Sequence, residues 1–263
     1  DSPDSLDADL VTDHVNRDAF AAIRGVFSRE EMASLLERVR EGFDPGRDCP
    51  SIGEAPAAVM DNFQKLSIGG AGSHWDYRPR FMRVIYNPLW AEDRYGMHAT
   101  FRKLAHIRNA LQGNRPDYAV DKVEDGVWTA ARMQHYPAGG GNISRHRDAV
   151  ISTVTSDAGV KHFHQMLLLL TSKGEHFDVG GAYMEFGDEV VDLEDEFKAG
   201  DVIVYDGRTM HGVHDVDPHK IASLTGFEGR LVASVSLYKD MSAEAKPYEG
   251  YEDTFVDAEK PPE

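Results

Sequence analysis

Trp128-Thr-Ala-Ala-Arg-Met-Gln-His-Tyr-Pro-Ala-Gly-Gly-Gly-Asn-Ile-Ser-Arg-His146-Arg-Asp148 is the stretch on which the reading of this chain turns. It starts as a strand, passes through a turn that three successive glycines leave sterically unrestricted, and ends on His146 and Asp148. In an extended chain residues i and i+2 share a face, so the imidazole and the carboxylate can converge on one ion. Two histidines and one carboxylate on one face of an octahedron leave three positions open. That arrangement suits non-haem Fe(II) handling O2 and a chelating co-substrate. The second histidine must come from elsewhere in the chain.

His-x-Asp is a cheap pattern, and it recurs as His74-Trp-Asp76 and His176-Phe-Asp178. Taken alone, each of the three is more often a surface pair than a metal site, so context decides. After Trp128 the chain reads as short strands over 162–171, 182–186, 189–193, 201–205 and 230–238, with turn signals such as Ser172-Lys-Gly-Glu175 and Asp178-Val-Gly-Gly181. Before it, a strand over 18–27 leads to the capping box Ser28-x-x-Glu31. Met32, Leu35, Leu36 and Val39 follow at helical spacing and predict a helix from about 29 to 42. Met97, Phe101, Leu104, Ile107 and Leu111 form a second helical stripe, which Gly113 ends. Many short strands behind a helical third predict a mainly β protein with flanking helices and a double-stranded β-helix (jelly-roll) core. The expected organisation is one catalytic domain over 1–263. Within it, 1–127 is helical or irregular, 128–240 is the jelly roll and 241–263 is an acidic tail.

Residues 44–72 are rich in Pro, Gly and Ser and read as mostly irregular, with a short helix near 55–66. The longer segment 44–95 is expected to act as a lid over a small polar ligand. It carries Arg78, Arg80 and Arg83 among Trp75, Tyr77, Phe81 and Tyr86. Aromatic packing with exposed guanidinium groups is the commoner arrangement; the sharper expectation is that one arginine grips an anionic group bidentately.

Composition narrows the partners. With 28 Lys and Arg against 45 Asp and Glu the formal charge is −17, which disfavours nucleic-acid binding. Acidic clusters at 1–9, 187–196 and 244–263 read as solvated surface. No apolar run of membrane-spanning length is present, and the acidic, polar start shows no leader. The single cysteine, Cys49, allows no intramolecular disulfide, and a reducing cytoplasm is the expected location.

The remaining informative stretch is Gly200-Asp-Val-Ile-Val-Tyr-Asp-Gly-Arg-Thr-Met-His211-Gly-Val-His-Asp-Val216. In order along the chain come Tyr136 to Gly139, His146 to Asp148, Met166 to Leu170, Gly180-Gly181 before Ala182 to Phe186, Gly200 to Tyr205, His211 before Val213, and Arg230. This succession, over roughly 128–238, resembles the Fe(II)/2-oxoglutarate-dependent dioxygenases, particularly the prolyl-hydroxylase-like and phytanoyl-CoA-dioxygenase-like branches.

The resemblance implies that His146, Asp148 and His211 hold the metal. His211 stands 11 residues after Gly200, the family spacing, and is preferred to the nearby His214 and His219. It further implies that Arg230 binds the distal carboxylate of 2-oxoglutarate, with Gln134 and Tyr136, which share a strand face, and Ser234 in support. The tighter Arg-x-Ser pattern of many relatives is absent, since Val232 occupies that place. Structural hydrogen bonding is nearly as good an account of Gln134 and Tyr136. His162 and His164 open an apolar strand and read as a core or cleft pair.

The implied cofactors are Fe(II), 2-oxoglutarate and O2. The implied reaction is hydroxylation of a C–H bond in a small polar metabolite, such as a free amino acid or a natural-product intermediate, with succinate and CO2 as co-products. A carboxylate at 148 disfavours halogenation, whose enzymes keep a small residue there. Desaturation, epimerisation and cyclisation use the same triad and stay open. So do a cupin-like metal enzyme that does not use 2-oxoglutarate, for which Arg230 would be dispensable, and a non-catalytic jelly-roll binding module.

Overall fold

The computed structural model of the chain describes residues 6–49, 59–68, 79–148 and 164–240. His74, Asp76, Arg78, His162 and the acidic tail fall outside them. Two helices open the described chain. Helix α1 (Ala8–Asp18) is capped by Asp7, whose side chain accepts from Leu10 N–H at 2.9 Å. After strand β1 (Phe20–Ile23), helix α2 (Arg29–Gly42) carries the predicted capping box, with Ser28 and Glu31 satisfying each other's backbone N–H groups. The second predicted helix is α3 (His98–Leu111).

The remaining elements are strands β2 (Gln64–Ile68), β3 (Pro79–Tyr86), β4 (Val127–Pro137), β5 (Gly141–His146), β6 (His164–Leu169), β7 (Gly181–Phe186), β8 (Glu189–Asp192), β9 (Val202–Asp206), β10 (His211–Val216) and β11 (Gly229–Lys239), with a one-turn helix α4 (Leu193–Glu196) after β8. All pair antiparallel in the order β1-β9-β6-β11-β4-β3-β5-β10-β7-β8, with β2 beside β3. This curled antiparallel sheet with few helices is the predicted double-stranded β-helix. Helices α1 and α4 and strands β2, β3, β5 and β10 were not predicted as elements. β2 lies in the stretch read as mostly irregular.

β3 turns the sheet over. Its first residues pair with β5 (Pro79↔Ile143, Arg80↔Asn142) and its later ones with β4 (Arg83↔His135 to Tyr86↔Arg132). Between them Phe81 takes φ +51°, and the register with β2 slips at the same place. An extra residue in a left-handed conformation bends a strand, which here carries the chain from one face of the roll to the other.

Alternation then separates two cores. Ala131 and Met133 of β4, Leu231, Ala233 and Val235 of β11, Met166 and Leu168 of β6, and Val202 and Val204 of β9 face the helices. They pack on Val15, Leu35, Leu36, Phe101, Leu104 and Ala105. Ala130 and Tyr136, Val232, Leu167 and Leu169, and Ile203 and Tyr205 face the roll's interior. Each fully buried leucine or phenylalanine contributes about 1.5–3 kcal/mol, so the helix-side layer holds the sheet rigid. The interior layer is free to carry polar groups. Among the described residues no helix is long and apolar enough to cross a membrane.

Candidate active site

His146 is the last residue of β5 and His211 the first of β10, and antiparallel pairing sets them directly opposite each other. Their rings stand 4.4 Å apart, centre to centre. Each Nδ1 lies 2.8 Å from the carbonyl oxygen two residues earlier, Ser144 for His146 and Thr209 for His211. A nitrogen that close to a carbonyl oxygen must carry the proton, which puts the lone pair of each neutral ring on Nε2. Burial, and then the neighbouring His211, push the His146 pKa down to about 4, only partly offset by Asp148. The ring is neutral at physiological pH, the form that ligates metal.

Asp148 sits just beyond the strand, its N–H donating to Gly207 carbonyl at 2.8 Å. Its Oδ1 is 3.8 Å from His146 Nε2 and its Oδ2 is 3.7 Å from His211 Nε2. These distances are too long for hydrogen bonds. They are what remains between donors aimed at a common point, and all three donors lie within 4.8 Å of one another. Tyr205 Oη donates to Asp148 Oδ2 at 3.4 Å, and its ring meets His211 edge-on at 5.0 Å. Burial, with Asp148 beside it, drives the Tyr205 phenol well above its ordinary value, so it remains a donor. Two imidazoles and one carboxylate, each held by a further hydrogen bond, fit a first-row divalent metal and leave room for exogenous ligands.

The triad opens into one cavity, also lined by Arg132, Gln134, Tyr136, Gln165, Leu167, Tyr205, Arg230 and Ser234. Register gives it a direction. Arg230 lies opposite Tyr136, Val232 opposite Gln134, and Ser234 opposite Arg132. Arg132 and the Arg230–Tyr136 rung are thus about 14 Å apart along the ladder, at about 3.4 Å per residue. The guanidinium carbon of Arg230 is 5.3 Å from the centre of the Tyr136 ring. Its Nε donates to Glu194, while its Nη2 is buried without a partner. Ser234 Oγ is likewise buried without one. Burial pushes the Tyr136 phenol up to about 12, partly offset by Arg230, so it too is a donor. An unsatisfied guanidinium donor beside a protonated phenol forms a receptor for an anion, and the Ser234 hydroxyl lies further along the same strand.

All seven residues singled out from the sequence, Gln134, Tyr136, His146, Asp148, His211, Arg230 and Ser234, therefore meet in this cavity. The competing histidines do not. His214 stacks on Tyr183 at 4.2 Å with Asp192 3.4 Å away, and His176 Nδ1 accepts from Ser172 N–H. His219 clusters with Asp178 and Asp217, but both of those carboxylates already hold the Lys220 ammonium. His164 is buried at the start of β6, outside the cavity lining. Of the N-terminal arginines, Arg83 is locked to Asp48, His135 and the Leu224 carbonyl, and Arg80 leans on Asp215, so neither reaches the cavity.

Sequence reasoning missed Arg132, Gln165, Tyr205 and Glu194. The period-two face that gave Gln134 and Tyr136 extends back to Arg132, and Tyr205 was already in the quoted Gly200–Tyr205 run. Glu194 carried the opposite signal: the acidic run 187–196 reads as solvated surface, yet Glu194 is 1% exposed. A single turn of helix tucks it inward beneath β7.

No protein-family model matches the chain, and no curated protein sequence does. Solved structures do match it in fold. A prolyl hydroxylase from Trichoplax adhaerens, in complex with a hypoxia-inducible-factor peptide fragment, aligns with a TM-score of 0.55 at 13% identity, covering 91% of this chain and 93% of its own. A Pseudomonas putida prolyl-4-hydroxylase gives 0.54 at 14% identity, over 88% and 98%. EctD from S. alaskensis, solved with 2-oxoglutarate and 5-hydroxyectoine, gives 0.52 at 18% identity, over 92% and 78%. The chain thus shares the double-stranded β-helix of the 2-oxoglutarate–Fe(II) oxygenases over about nine-tenths of its length.

Proposed function

We propose that this chain is an Fe(II)- and 2-oxoglutarate-dependent oxygenase that hydroxylates a C–H bond of a small polar molecule. One observation carries the reading: the His146, Asp148 and His211 donors converge in the same cavity as a buried arginine with an unsatisfied Nη2. His146 Nε2, Asp148 and His211 Nε2 would hold the iron. Arg230, with Tyr136 beside it, would receive the distal carboxylate of 2-oxoglutarate through charge-assisted hydrogen bonds, with Ser234 lining the cavity further along the same strand. When bound, iron and co-substrate supply the oxidising chemistry, releasing succinate and CO2.

The chain's own residues do the rest. The backbone carbonyls of Ser144 and Thr209 fix both imidazole tautomers, and Tyr205 orients the Asp148 carboxylate. The apolar floor of Leu167, Met184 and Val213 keeps bulk water from the ligand face. Arg132, Gln134 and Gln165 offer polar contacts for substrate, which favours a small polar molecule. EctD, solved with 5-hydroxyectoine, is a structural neighbour with a ligand of that kind, whereas the prolyl hydroxylase was solved with a peptide.

A second reading, a metal enzyme that does not use 2-oxoglutarate, draws on the carboxylate that Arg230 already holds, Glu194. One experiment separates them. Succinate formation from 2-oxoglutarate is followed under air with Fe(II) and ascorbate, for the wild type beside His146→Ala and Arg230→Ala, across a panel of amino acids and small metabolites. Turnover in the wild type alone, raised by a panel member, supports the oxygenase. Stoichiometric iron with neither binding nor turnover of 2-oxoglutarate rejects it, whereas undiminished succinate formation in Arg230→Ala would keep the oxygenase and remove Arg230 from co-substrate binding.

A further inference from the structure

Glu194 and Arg230 are both 1% exposed, and the short helix α4 holds the glutamate in place. Its Oε2 accepts from Ala182 N–H at 2.6 Å, and its Oε1 accepts from Arg230 Nε. Gly181 makes the room. Its φ is +119°, and a Cβ there would stand 2.8 Å from Glu194 Oε2. The glycine pair at the start of β7 thus has a side-chain reason: the second member admits a carboxylate against Arg230, which lines the cavity.

A guanidinium is a rigid planar fork. With Nε engaged by Glu194 and one face near the Tyr136 ring, the plane of Arg230 is fixed, and the Nη edge is what it has left to offer. Nη2 on that edge is buried and unpartnered, so a carboxylate arriving there would satisfy a donor that nothing else in the structure satisfies. Two effects of Glu194 oppose each other. Its charge repels an incoming carboxylate across the guanidinium, and its hydrogen bond keeps the fork aimed. The intervening cation screens the repulsion, whereas a two-point contact is lost once the plane swings.

Resting on the oxygenase reading above, we propose that Glu194 is a positioning residue for the co-substrate. It pins Arg230 so that the Nη edge takes the distal carboxylate of a 2-oxo dicarboxylate in two-point contact. The site thereby selects for that carboxylate over shorter metal chelators.

The test compares two probes on the full chain, loaded with Mn(II) in place of iron without O2, by calorimetric titration. 2-Oxoglutarate spans metal and arginine; oxalate chelates metal but has no distal carboxylate. Glu194→Gln is expected to weaken 2-oxoglutarate about tenfold, some 1.4 kcal/mol, and to change oxalate affinity by less than about twofold. Glu194→Asp keeps the buried charge but withdraws it from Nε, so it should shift 2-oxoglutarate in the same direction even if the glutamine variant does not fold. An equal loss for both probes would reduce Glu194 to a structural role, and tighter 2-oxoglutarate binding in Glu194→Gln would make it a competing charge; either overturns the proposal. A wild type that binds oxalate but not 2-oxoglutarate would instead sink the oxygenase reading.

Discussion

At the scale of single residues, the site is governed by how each ligating side chain is held inside the chain. Nδ1 of His146 and of His211 is engaged by a backbone carbonyl, and Nε2 of each is not within hydrogen-bond range of the carboxylate between them. Asp148 depends on a different kind of support, the Tyr205 hydroxyl at 3.4 Å. Tyr205→Phe keeps the ring that meets His211 and removes only that donor, so the fold should persist while the carboxylate loses its orientation. Groups of this kind are worth roughly 10–100-fold in metal affinity. Titration with Mn(II), followed by paramagnetic resonance, should show a loss of at least about tenfold. Unchanged affinity would mean that Asp148 is held by its own backbone, through the Gly207 contact, and not by Tyr205.

At the scale of elements, what brings these residues together is capping, alternation and tight glycine turns, and these differ in how plainly they are written. Helix α2 is announced by Ser28 and Glu31. Ser28→Ala removes one acceptor for an otherwise orphaned N–H and should lower unfolding stability by about 1 kcal/mol in urea, with metal affinity untouched. Gly180 is bound more tightly. It has φ +90°, and a Cβ would meet the Asp215 carbonyl oxygen at 2.4 Å. Gly180→Ala should therefore cost on the order of 1–3 kcal/mol by the same assay, and a neutral result would show that the β7 entry can shift. Alternation was legible in β4, where Gln134 and Tyr136 declared the inner face, and in the helix stripe of α3. It was not legible in β2, whose Gln64-Lys-Leu-Ser-Ile68 has no period-two pattern because its first three residues are all buried. Nor was it legible in α4, since an acidic turn looks the same on the surface as inside until its ion-pair partner is known. Glu194 was hidden from the sequence because its burial depends on Arg230, 36 residues further on.

At the scale of the whole molecule, the outer side of the roll is closed by a polar cluster that has no part in the cavity. Arg83 of β3, wholly buried, donates through Nε and Nη2 to Asp48, through Nη1 to His135 Nδ1, and to the Leu224 carbonyl. His135 of β4 then donates through Nε2 to the Glu228 carbonyl at 3.0 Å, and Phe227 covers its ring at 4.5 Å. The cluster ties the chain after α2, two central strands and the approach to β11 into one unit, so its protonation state bears on global stability. Burial first, and then the Arg83 charge, depress the His135 pKa to about 3. Its folded value lies below the unfolded value of about 6.5, so its contribution is fully present above about pH 6.5 and is lost as pH falls toward 3. By pH 5 the unfolded chain has taken up a proton that the folded chain refuses, a loss of about 2 kcal/mol. His135→Gln keeps an acceptor and a donor but cannot titrate. Urea unfolding of metal-free protein at pH 7 and pH 5 should give a stability difference about 2 kcal/mol smaller in the variant than in the wild type. The metal-free His146, with its pKa near 4, adds a similar acid sensitivity to both proteins and cancels in the comparison. If wild type and variant lose the same stability on acidification, His135 takes up its proton in the folded state, and the Arg83 contact must then open.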